Sequence, residues 1–139
     1  MFENYESIDD LMQSEARYTV QQELNANSLY VSAVRCFRFR SIGIVVLDDL
    51  GNETARYASH NCPTGEIVEI VSHFERPDIT VRVPEHTLLT ILKNIDQVKE
   101  HPLRAFFRYA PEFSMAAKDK MRLLSYMLPL SGHETQLPR

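Results

Sequence analysis

The chain has no tryptophan, and its 139 residues include only two cysteines and four glycines. Two cysteines cannot make a disulfide framework, and a chain of this length can bury a core without one. Cys36 and Cys62 are therefore expected to be reduced thiols. The glycines, Gly43, Gly51, Gly65 and Gly132, lie too far apart to form a phosphate-cradling loop, which disfavours nucleotide binding. Long apolar runs are missing as well: the longest is Ile44 to Leu47, against the roughly 18 residues of a membrane span. The first ten residues carry Glu3, Glu6, Asp9 and Asp10, with neither a basic lead nor an apolar segment, so a cytoplasmic location is expected. Positive charge is not in excess. A net charge of -4 gives no overall attraction to nucleic acid, although a local basic patch can persist inside an acidic total.

Catalytic and metal-binding patterns are equally scarce. His60 and Cys62 stand two apart with His73 further on, but neither a CxxC nor a HxxxH pair occurs, and no metal or other cofactor is expected. Cys62 precedes Pro63 and reads as a turn residue rather than a nucleophile. The adjacent acids Asp9-Asp10 and Asp48-Asp49 suit capping and turn roles, so no residue is assigned to catalysis.

What is present is an ordinary globular mixture, 44% hydrophobic and 24% charged residues. It is read as a single domain over 1–139, with loose ends at 1–6 and 131–139. Ser7 precedes two acids and can cap a helix running to Ala26 on Leu11, Met12, Ala16, Val20 and Leu24. Leu29 to Cys36 fits a short helix or a loop. Arg35 to Arg40 alternates basic and apolar residues and is expected to be a strand with one wet face. Its phenylalanines would then point away from its arginines, which argues against a base-stacking nucleic-acid surface.

Ile42 to Leu47, a turn at Asp48-Asn52, Thr54 to Ser59, a turn at Asn61-Gly65, and Glu66 to Phe74 read as successive antiparallel strands. Ile79 to Val83 is the fourth, with Ile79, Val81 and Val83 on one face and Thr80 and Arg82 on the other. Pro84 ends it and opens a helix from Glu85 to Ile95, whose stripe is Leu88, Leu89, Leu92 and Ile95. Aromatics crowd the region from Leu103 to Met115. A last helix follows on Ala117, Met121, Leu124 and Leu128. The pattern predicts an α+β fold in which helices cover one face of a sheet.

The run Arg76-Pro77-Asp78-Ile79-Thr80-Val81-Arg82-Val83-Pro84-Glu85, followed by Leu88-Leu89-Thr90-Ile91-Leu92, resembles the core signature of the sterol carrier protein type 2 family. The resemblance spans about 35–128. Where that family carries a Gly-Lys-aliphatic-Lys-aliphatic-x-Gly strand, this chain has Arg104 to Pro111 without glycine. It implies a curved, mostly antiparallel five-stranded sheet with helices on one face, enclosing an apolar pocket for a fatty-acyl, sterol-like or other lipid. The expected role is non-catalytic binding or transfer of that molecule. Leu88, Leu92, Phe106, Phe107, Met115, Met121, Leu124 and Met127 are the expected lining, methionine being suited to irregular apolar walls. The alternative is a filled-core interaction module that meets a protein partner or a second copy of itself and holds no small molecule.

Overall fold

The computed structural model describes residues 2–72 and 76–122. Three helices, α1 (Ile8–Gln13), α2 (Ala16–Asn25) and α3 (Ser28–Phe37), precede strands β1 (Ser41–Leu47), β2 (Glu53–Asn61), β3 (Ile67–Val71) and β4 (Ile79–Pro84). Then come α4 (Glu85–Lys93), α5 (Ile95–Glu100) and α6 (Pro102–Tyr109), a 3-10 turn at Ala110–Glu112, and the short β5 (Ser114–Met115). Helical backbone resumes over 117–122.

The sheet has five strands in the order β3-β2-β1-β4-β5. It is mostly antiparallel, as expected, with one exception: β4 lies parallel to β1, pairing Ile42 with Ile79, Ile44 with Val81 and Val46 with Val83. The expectation of successive antiparallel strands therefore fails at β4. Parallel neighbours need a long crossover, and the β2–β3 hairpin with its flanking turns provides it. Asp78 guides the chain into place: its Oδ2 accepts from the Arg40 amide at 2.6 Å, and its own amide donates to Ser41 Oγ at 2.9 Å.

Because paired residues share a face, Ile42, Ile44 and Val46 stand beside Ile79, Val81 and Val83 on one side and beside Tyr57 and Ala55 on the other. The helices cover this face in two groups. Ile8, Leu11 and Met12 of α1, Val20 of α2 and Leu92 of α4 pack with Val46 and Tyr57. At the far end, Val34 of α3 and Phe39 pack with Ile79, supported by Ile42 and Met115. The opposite face carries exposed Arg56 and Arg82 around buried Val45 and Ala58. Phe2, in a stretch expected to be loose, is 1% exposed and belongs to the first group.

Other boundaries also differ from those expected, β3 among them, which stops at Val71. The helix expected from Ser7 to Ala26 breaks at Ser14, whose backbone is extended; its Oγ donates to the Leu11 carbonyl at 2.7 Å and accepts from the Ala16 amide at 3.1 Å. Where a strand was expected at Arg35 to Arg40, α3 runs on to Phe37 and the chain then links directly to β1. Asn27 caps that helix by accepting from the Tyr30 amide at 2.9 Å, and Arg38 ends it in the left-handed conformation at φ 61°. Phe37 and Phe39 thus serve the core, their rings 5.8 Å apart, and the alternation of basic and apolar residues was the by-product of a helix end. Finally, the helix beginning at Glu85 stops at Lys93, and Asn94 turns the chain into α5.

Long-range polar contacts lock the layers together. Glu85 Oε2 accepts from the Ile8 amide at 2.9 Å, joining the start of α4 to the start of α1. The Asn25 side chain acts as a substitute strand for the edge of β3, accepting from the Ile67 amide at 2.6 Å and donating to its carbonyl at 3.0 Å.

Gly51 and Gly65 both have positive φ, 84° and 96°. Around Gly51 there is open space, whereas a Cβ on Gly65 would run into the Val31 carbonyl oxygen and lie 3.0 Å from the Arg35 amide. Gly51→Ala should cost about 1–2 kcal/mol for the left-handed backbone alone. Gly65→Ala should cost about 3 kcal/mol or more because α3 must move as well. Urea unfolding of the two variants checks the order; equal losses would contradict the close packing of α3 on that turn.

Candidate ligand-binding site

The expected lining residues fall into three settings. Leu92, 9% exposed, and half-buried Leu88 sit together in the first core group, on the inner stripe of α4. Met115 pairs with Val81 on β5 and packs into the second group. Phe106, Phe107 and Met121 are 58%, 73% and 64% exposed. Leu124 and Met127 lie outside the described residues.

The two phenylalanines are displayed by α6, which occupies the place where the resemblance implied a strand. Pro102 at its first turn lacks only an amide that has no helical partner in any case, and Leu, Arg and Ala favour helix over strand. The Ala105 amide closes the first helical bond to the His101 carbonyl at 3.0 Å. Helical spacing then sorts the side chains: Leu103, Phe106 and Phe107 share one side, while Arg104 and Arg108, four apart, share another. No residue of α6 is buried. The Phe106 and Phe107 rings meet edge to face at 5.6 Å.

On the other side of α6, facing α5, lies a groove of about 270 Å³. Its apolar part comes from Val98 and Ala105. Asn94 and Gln97 bring amides, His101 an imidazole at the bend between the helices, and Tyr109 a phenol. Arg104 and Arg108 bring two positive charges against the single carboxylate of Glu100. The Arg108 guanidinium carbon lies 5.6 Å from the centroid of the Tyr109 ring. Neither arginine has an ion-pair or hydrogen-bond partner among the described residues. The groove is held to the body by Ile95, which packs on the first core group, and by Lys99, whose ammonium lies 3.1 Å from Glu23 of α2. None of its residues was among the expected lining; the readable signal was the Arg104–Arg108 pair four apart behind a Pro102 helix start.

Polar groups elsewhere are structural. Tyr57 donates to Asp9 at 2.9 Å, and its phenol is pushed well above the ordinary tyrosine value, first by burial and then by Asp9. Burial also raises Tyr30, opposed by Asn61 and Ser59. The Ser59 hydroxyl and the Asn61 amide, both buried, are the polar groups that face the Tyr30 phenol. The Cys62 thiol is lowered chiefly by Thr64, whose Oγ1 lies 2.9 Å from it within the β2–β3 turn. Cys36 and Cys62 are free thiols, and no group of three His, Cys, Asp or Glu among the described residues could hold a metal ion.

No protein-family model matches the chain, and no curated protein matches it. Among solved structures it is similar to the sterol carrier protein domain 2 of Helicoverpa armigera, at 14% identity over 90% of each chain and a TM-score of 0.43. It is also similar to a conserved hypothetical protein of Thermus thermophilus, itself a suggested sterol carrier protein. That match has 15% identity over 81% of this chain and 85% of the other, with a TM-score of 0.43. Likenesses of this degree say nothing of what the chain binds.

The two raised tyrosines set an alkaline limit. A folded pKa above the unfolded value of about 10 means that the stabilisation is complete below roughly pH 10 and is lost as pH rises through the folded value. Stability measured by urea unfolding should therefore begin to fall above about pH 10 and keep falling as pH rises further. Tyr57→Phe should flatten that fall; an identical pH profile in the variant would contradict it.

Proposed function

We propose that the chain binds a hydrophobic small molecule, a fatty-acyl, sterol-like or other lipid, and carries it without chemical change. The observation that carries this reading is the side of α6 formed by Leu103, Phe106 and Phe107, which are 63%, 58% and 73% exposed. Large apolar groups gathered on one exposed helix face mark a binding surface, since covering them releases about 25 cal/mol per Å². The resemblance of residues 76–92 to the sterol carrier signature points in the same direction. Phe106, Phe107 and Met121 are the proposed contacts among the described residues; of the other expected lining residues, Leu88 and Leu92 pack in the first core group and Met115 in the second, and Leu124 and Met127 lie outside the described residues.

No helix among the described residues is long and apolar enough to cross a membrane. Phe106→Ser/Phe107→Ser should leave stability within about 0.5 kcal/mol of the wild-type chain, as exposed positions do. Leu92→Ala should cost about 2–3 kcal/mol. The serine pair should also weaken binding of a fluorescent fatty acid at least about tenfold, the loss of one large apolar anchor. Native mass spectrometry of the freshly purified chain should show a bound lipid. A lipid-free dimer in light scattering, together with no fatty-acid binding, would instead establish a protein-interaction module.

A further inference from the structure

We infer that the groove between α5 and α6 is an oxyanion site, and that it takes the carboxylate or phosphate head of an amphiphile whose apolar part covers the Phe106–Phe107 side of α6. The second half rests on the function proposed above; the first stands without it. Arg104 and Arg108 line the groove one helical turn apart; Arg108 lies over the Tyr109 ring, and neither guanidinium has an ion-pair or hydrogen-bond partner among the described residues. A guanidinium presents a planar fork of donors that matches carboxylate and phosphate oxygens, and two such forks at one groove can share a single anion. Asn94 and Gln97 add neutral amide donors on the α5 side.

The groove also has a counter-charge. Glu100 lines it and would repel an anion placed beside it, so the anion is expected at the Arg104–Arg108 wall and away from the Glu100 carboxylate. Two guanidiniums against one carboxylate leave the groove positive in a chain whose net charge is -4. That contrast makes the location distinctive. A volume of about 270 Å³ is ample for a head group but not for a whole long-chain lipid. Residues three apart are neighbours on a helix surface, so Arg104 adjoins Phe107. An amphiphile with its head at Arg104 can therefore run its chain directly over the exposed ring. Charge and apolar surface, on adjoining sides of one short helix, match the two ends of such a molecule.

The test uses the full chain, with inorganic phosphate, decanoate and decanol as probes, followed by amide chemical shifts. Phosphate and decanoate are expected to shift amides within 94–109, and decanoate to bind more tightly than phosphate. Arg104→Gln/Arg108→Gln should raise the decanoate Kd at least about tenfold, the contribution of one charge-assisted pair, while decanol binding stays unchanged. Arg104→Lys/Arg108→Lys should retain most of the binding, and both variants should melt like the wild-type chain because the side chains are exposed. Phosphate binding that needs the arginines, without decanoate or decanol binding, would support a site for a free anion and sink the carrier function. Decanoate and decanol binding equally, with no response to either variant, would overturn the oxyanion site and leave the carrier function standing. No shift with any probe would overturn both.

Discussion

The in-register parallel pairing of β4 on β1 is the constraint on which the remaining structure depends. It sets Ile79, Val81 and Val83 beside Ile42, Ile44 and Val46. Val46 and Val83, both 0% exposed, meet at the centre of the resulting apolar surface. Burying each such side chain is worth about 1.5–3 kcal/mol, and a one-residue slip would replace the valines of β4 by Thr80 and Arg82. The same register delivers Pro84 to the edge of the sheet, where α4 must begin. Glu85, the first residue of α4, then captures the Ile8 amide and draws α1 onto the layer. One strand alignment thus positions helices from both halves of the described chain.

Much of this was legible in the residues. Alternation from Ile79 to Val83, the proline that follows and the stripe Leu88-Leu89-Leu92 all act over short distances, where local preference and tertiary packing agree. So do the turns at Gly51 and Gly65, where only glycine takes a positive φ without strain. The failures share a different cause. The neighbour of β4 was not legible, because strand order is decided by which surfaces the long crossover can cover and not by the strands themselves. Arg35 to Arg40 misled because six alternating residues fit a strand as well as they fit a helix end followed by an extended linker. The break at Ser14 was missed because its Oγ closes one helix and opens the next, a dual role that helical spacing does not reveal.

The proposed ligand site was legible in composition and not in geometry. The aromatic crowding between Leu103 and Met115 stood out, yet core and surface aromatics look alike in a sequence. Only placement on α6 separates Phe106 and Phe107, which face solvent, from Leu88 and Leu92, which face the sheet. The arginines beside them read as incidental until the helix divides them from the phenylalanines. Physically, α5 and α6 form an arm: α5 is tied to the body by Ile95 and by the Lys99–Glu23 pair, and neither helix buries a residue of its own. An element with so little buried surface contributes little to the stability of the sheet layer, and its amphipathic character is then better explained by what it binds.

Amide hydrogen exchange with and without an added amphiphile, such as decanoate, tests that claim most directly. The expected result is slow exchange in β1 and β4, fast exchange over 95–109 in the free chain, and protection of Leu103 to Tyr109 when the amphiphile is present. Exchange in α6 as slow as in β1 in the free chain, with no change on adding the amphiphile, would show that this helix belongs to the core and contradict its assignment as the ligand-binding arm.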